Sequence, residues 1–181
     1  MSKFRARLHY DWILYVLVPV VTIPAWIFSF RTLHQLKPEE KVSMFFAGTI
    51  KDYSIKEDSV FFLETSGMLG LEIASCDPTD SIFQDKFELV GLHGSDVVCL
   101  PLSIAEKTYC KEAFIEVSSN VYDLYNQEGV NYGFKLAKNH AEKYFDFLDE
   151  DYYLFITQTS VYSETSKNNA YNFIDWINNY A

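Results

Sequence analysis

The chain has 181 residues, 49% of them hydrophobic and 17% aromatic, with a formal net charge of −10. That is enough chain for one ordinary domain with a real core and no disulfide support. The acidic balance argues against a nucleic-acid binder, because residues 42–181 hold 9 lysines, no arginine and 22 acidic residues, a surface that repels phosphate backbones.

Residues 1–11 form a basic tail with Lys3, Arg5 and Arg7. Residues 12–30, WILYVLVPVVTIPAWIFSF, then run for 19 positions without a charge. As a helix they are about 28 Å long, close to the hydrocarbon thickness of a bilayer. Pro19 and Pro24 would break a soluble helix, whereas spanning helices tolerate proline. Trp12, Tyr15, Trp26 and Phe28 sit near the two ends, where interfacial aromatics gather. The rival reading is a cleavable signal peptide, but the apolar run is long for one and no small-x-small site follows. An uncleaved transmembrane anchor is therefore expected. Lysines and arginines flanking it nearly balance, and the acidic cargo places the amino terminus inside and the domain outside the cell.

Residues 31–41 are a polar connector, and residues 42–181 are the expected extracytoplasmic domain. Residues 42–49, VSMFFAGT, read as a strand buried on both faces. Ser54 and Glu57 have capping-box spacing and open a helix to about Thr65, stopped by Gly67. Residues 69–76 are a second strand, and Asp77-Pro78 opens a second helix with Ile82, Phe83, Phe87 and Val90 as its buried stripe. Residues 96–100 are a third strand, and Ser103 and Glu106 form another capping box. This β-α-β-α-β-α order predicts an α/β fold, a doubly wound and mostly parallel sheet with the first strand central. Farther on, residues 113–117 read as an edge strand, 121–125 and 130–136 as a hairpin, 152–159 as a strong strand, and 168–180 as a terminal helix. The acidic, aromatic stretch 138–151 is left open between loop and helix.

Residues 95–101, SDVVCLP, and 130–134, VNYGF, resemble the "aDvv.lP" and "YGi" segments of the extracellular solute-binding proteins of ABC importers. A basic start, an apolar run and an acidic domain are also similar to how those proteins begin. The resemblance implies a non-enzymatic binding or accessory subunit that works with membrane permease subunits and takes a small-molecule ligand. Two lobes of the family's size need on the order of 300 residues, so this chain would supply a single lobe. A surface interaction module unrelated to transport and a small anchored enzyme are the alternatives.

No nucleophile elbow, phosphate loop, dinucleotide fingerprint or zinc motif is present, and no cofactor or metal is expected. His93, Ser95 and Asp96 are triad residue types, but adjacent in sequence they read as a turn. Asp149-Glu150-Asp151 reads as a solvated acidic turn, and Tyr152, Tyr153 and Trp176 as core. Cys76, Cys99 and Cys110 lie in apolar surroundings and read as buried free thiols, with one disulfide possible. If a small ligand binds, the doubly wound rule places it at the carboxyl ends of the parallel strands, beside Thr49, Asp77 and Ser103. Free N–H groups of helix starts at Ser54, Asp77 and Ser103 would face it.

Overall fold

The structure is a computed structural model that describes residues 15–30 and 36–179. The chain divides into two units, residues 1–35 and 36–181, and each is taken by itself. The basic tail, Trp12 and residues 31–35 of the connector fall outside the described residues.

In the first unit, residues 15–30 form helix α1. Thr22 donates to the Val18 carbonyl (2.7 Å), and Trp26 stacks on Phe30 with ring centroids 5.4 Å apart. Every side chain of α1 is exposed. Among the described residues no helix is long and apolar enough to cross a membrane.

The second unit is built on strands β1 (Lys41–Ala47), β2 (Thr49–Ile50), β3 (Gly70–Cys76), β4 (Val97–Pro101), β5 (Leu124–Gln127), β6 (Val130–Lys135), β7 (Phe145–Asp146) and β8 (Tyr152–Ile156). Six of them form one sheet in the order β3-β1-β4-β8-β6-β5, while β2 and β7 pair apart from it. β1 lies between β3 and β4 and is parallel to both, as its uninterrupted apolar run predicts. The rest of the sheet departs from the expected mostly parallel arrangement. β4–β8, β8–β6 and β6–β5 are all antiparallel, so the sheet is mixed.

The cause lies in the chain after β4. Helices α5 (Leu102–Ala105) and α6 (Cys110–Ala113) are single turns, and no third long crossover is made. The β5–β6 hairpin turns at Glu128-Gly129, both with positive φ (55° and 86°), the geometry of a two-residue turn. β6 ends at the carboxyl edge of the parallel strands. From there the chain passes through α7 (Lys138–Ala141), β7 and a strap of residues 147–151, and drops back as β8 between β4 and β6.

Both faces of the sheet are covered. Alternate residues of β1, Val42, Met44 and Phe46 on one side and Phe45 and Ala47 on the other, enter two separate cores. The first core is closed by α3 (Val60–Ser66) and α8 (Glu164–Asn179), whose Phe173, Ile174 and Ile177 are buried. The second is closed by α4 (Phe83–Lys86), the π-helix Phe87–Leu92, α5 and α6. Phe83 and Phe87 are its buried stripe. Val90, expected with them, is exposed, because the π-helical turn rotates the register off the 3.6-residue period, and Ile82 is exposed at the N-cap of α4, ahead of its first helical residue. Cys76 and Cys110 lie in this core and Cys99 in the first, all three as free thiols.

Other local expectations shift. The helix from Ser54 is two pieces, α2 (Ile55–Asp58) and α3, and the Ser54 hydroxyl donates to Asp52 (2.8 Å) in place of capping. The edge strand at 113–117 reduces to one isolated bridge, Phe114 to Thr157. The terminal helix begins at Glu164, ahead of the apolar stripe.

Candidate functional site

At the carboxyl ends of β1, β3 and β4 the strap covers the edge that a ligand crevice would occupy. β7 pairs with β2, Thr49 opposite Asp146. Phe147 packs edge-on to Phe46 (5.4 Å) and Tyr152 (4.9 Å). The Tyr152 hydroxyl donates to the Ala47 carbonyl (3.3 Å) and accepts from the Leu148 N–H (3.2 Å). Leu102 N–H donates to the Asp151 carbonyl (2.9 Å).

The N–H groups expected to be free at this edge are each held by a carboxylate of the chain. Ser54 N–H donates to Asp52 (2.8 Å), Thr79 N–H to Asp77 (2.8 Å) and Ser103 N–H to Glu150 (2.8 Å). The Ser103 hydroxyl donates to the second oxygen of Glu150 (2.9 Å). Ser103 therefore caps nothing: α5 starts one residue earlier, and Glu150 occupies the place of an incoming anion. Thr79 holds the Asp77 carboxyl below the usual carboxylate range, and Ser54 does the same to Asp52. Of the three residues expected at a ligand, Thr49 lies in the β2–β7 pair, Asp77 closes its own turn, and Ser103 is bound to the strap.

An open pocket of about 620 Å³ lies at the opposite, amino edge of β1 and β4. The chain places hydroxyls there because β8 ends at this edge and a hydroxyl-rich run, Thr157 to Ser166, leads from it into α8. Asp96, Ser43, His93, Thr159 and Ser166 line the pocket, with Lys41 at its side held by Glu72 (2.7 Å). Asp96 is half-buried. Its Oδ2 accepts from the Ser43 N–H (2.9 Å) and hydroxyl (2.7 Å), which ties β4 to β1. Burial lifts the Asp96 carboxyl above the ordinary carboxylate range, against hydrogen bonds from Ser43 that pull it down. Thr157 donates to the Ser95 carbonyl (2.6 Å) and Thr159 to the Leu92 carbonyl (3.2 Å), so two hydroxyls satisfy backbone at the exit of the π-helix. Ser95 donates to the Val90 carbonyl (2.8 Å), and His93 makes no side-chain hydrogen bond to it or to Asp96. The three triad residue types are thus side by side without forming a triad. The sequence signal for this pocket was the hydroxyl run after a buried strand, together with Ser95-Asp96 directly before another.

A third feature is an apolar groove of about 440 Å³ between α3 and α8, lined by Phe61, Phe62 and Trp176 and edged by Asp58 and Asp175. Phe62 stacks on Trp176 (5.1 Å), while Phe61 is 70% exposed. Asp58 is fixed by Lys143 (2.6 Å) and the Tyr144 hydroxyl (2.7 Å), which hold its carboxyl below the usual range.

No family model, curated protein or solved structure matches this chain.

Proposed function

We propose that this chain is a single-pass membrane protein whose acidic α/β domain stands on the extracytoplasmic side and acts by contact, as a non-enzymatic binding or accessory subunit of an ABC importer or a similar membrane complex. The observation that carries the reading is α1: an uncharged helix with every side chain exposed. A fully exposed Val, Leu, Ile or Phe side chain forgoes about 1.5–3 kcal/mol of burial, and a lipid environment supplies that burial along the whole segment. The described helix accounts for about 24 Å of the span, and the uncharged sequence continues to Trp12. The groove beside Phe61 supports action through a partner, since an exposed aromatic next to an apolar trough is what a contact surface presents.

A second reading, a surface interaction module unrelated to transport, is favoured by the covered carboxyl edge. Glu150 fills the place where a transported solute would meet α5. Affinity purification of the full chain from detergent-solubilised membranes separates the two. Stoichiometric recovery of multi-span permease subunits supports the importer reading. Recovery of other surface proteins alone supports the second reading, and a lone monomer speaks against both.

A further inference from the structure

The groove between α3 and α8 joins an apolar floor to an acidic rim. Its floor is the Phe62–Trp176 stack. Phe61 forms a wall and is 70% exposed, and Val60 next to it is 49% exposed. Contiguous exposed apolar surface of this kind, rimmed by polar groups, marks a contact site. Asp175 on the rim is exposed. Its Oδ1 accepts from the Tyr122 hydroxyl (2.9 Å), and among the described residues no lysine pairs with it. The Asp58 side chain is 41% exposed, with its bonds from Lys143 and Tyr144 both on Oδ2. Glu64, three residues on from Phe61 in α3, is exposed as well. No lysine is among the residues that line the groove.

We infer that this groove docks a basic segment of a partner protein, which sets an apolar side chain on the Phe62–Trp176 floor and turns lysines or arginines toward Asp58 and Asp175. Charge selects the occupant. A second copy of this acidic domain would bring like charge to the rim, and an uncharged segment would desolvate the rim carboxylates without a countercharge. Openness argues against a small molecule. Small-ligand pockets enclose about 70–90% of what they hold, whereas this groove of about 440 Å³ leaves Phe61 mostly in solvent. A segment lying across the groove covers Phe61 and the floor together. The inference rests on the reading that the domain acts by contact, and it names the chemistry of what is contacted.

The test uses the full chain in phosphatidylcholine nanodiscs, with the Trp176 indole and Phe61 amide followed by NMR. The probe is the peptide acetyl-Lys-Leu-Lys-Lys-Leu-Lys-amide, whose leucines, three apart, share one face of a helical turn. Saturable shifts are expected at both reporters, and much smaller ones when glutamate replaces every lysine or serine replaces every leucine. Asp175→Asn is expected to weaken binding about 2- to 5-fold, the worth of an exposed ion pair. Phe61→Ser is expected to weaken it about 5-fold or more, as loss of an aromatic anchor does. Both side chains are exposed, so both variants keep the fold. No saturable shift, equal shifts from the glutamate peptide, or undiminished binding by folded Phe61→Ser would each overturn the inference. Affinity purification reports on the contact reading and these shifts report on the groove, so the two fail separately. Permease recovery without shifts puts the contact on another surface, and shifts from a chain that purifies as a lone monomer keep the groove and remove the importer.

Discussion

Glu150 grips Ser103 twice, taking the backbone N–H at 2.8 Å on one carboxylate oxygen and the hydroxyl at 2.9 Å on the other. This pair fastens the strap to the carboxyl edge of the sheet from across 47 residues of sequence. Glu150→Ala is expected to lower stability by about 0.5–1.5 kcal/mol, the range for a partly exposed hydrogen-bonded carboxylate. It should also raise hydrogen exchange at Leu102 and Ser103, and leave the amides of β1 unchanged. Unchanged exchange at Ser103 would mean that the strap is held by Phe147 and Tyr152 alone.

Gly133 sits against the ring of Phe155, and a Cβ built there would lie 2.7 Å from ring carbon Cε1. Phe155 is fully buried and stacked on Phe114 (4.5 Å), so the ring has no room to turn away. Gly133→Ala is expected to cost about 1–3 kcal/mol, the usual penalty of overpacking. The double variant with Phe155→Leu should lose less than the sum of the two single losses, because the smaller side chain yields the space. Urea unfolding of the four proteins measures this coupling.

Tyr152 is buried, and burial pushes its phenol up to about 12. A folded pKa above the unfolded value of about 10 gives a contribution complete below pH 10 and lost as pH rises through about 12. Tyr152→Phe should cost about 1 kcal/mol at neutral pH, by leaving the Leu148 N–H and Ala47 carbonyl without their partner. It should also flatten the decline in stability above pH 10. An unchanged alkaline slope would assign that decline to other groups.

Asp96 works in the opposite part of the pH scale. Its folded pKa is raised, so the folded state holds the proton more tightly than the unfolded state does. Stability then falls as pH rises from the ordinary carboxylate value, about 3.9, to the raised value, and is constant beyond it. Asp96→Asn keeps a group able to accept from Ser43 and removes the buried charge. Its stability relative to the parent should therefore grow as pH increases across that window. A constant difference would remove the burial cost from the account.

Much of the first half was legible because strong, local signals decide it. Continuous apolar runs gave β1, β3 and β4 to within two residues, and Gly67 at φ 72° ends α3 where the left-handed cap requires glycine. The mixed sheet was not legible. A 147–151 strap and β8 read equally well as another crossover and parallel strand until the contacts across the carboxyl edge are known. Capping boxes at Ser54 and Ser103 misled for a related reason. Asp52 and Glu150 compete for the same N–H and hydroxyl groups, one from two residues away and one from 47. The amino-edge pocket went unseen because Ser43, Asp96 and Thr159 are distant in sequence, and nothing in their local spacing joins them.

The membrane anchor is the claim on which the placement of everything else depends, and alkaline carbonate extraction of membranes carrying the full chain tests it most directly. The chain should stay in the pellet with the bilayer, and a version lacking residues 12–30 should move to the supernatant. Release of the full chain into the supernatant would contradict the account.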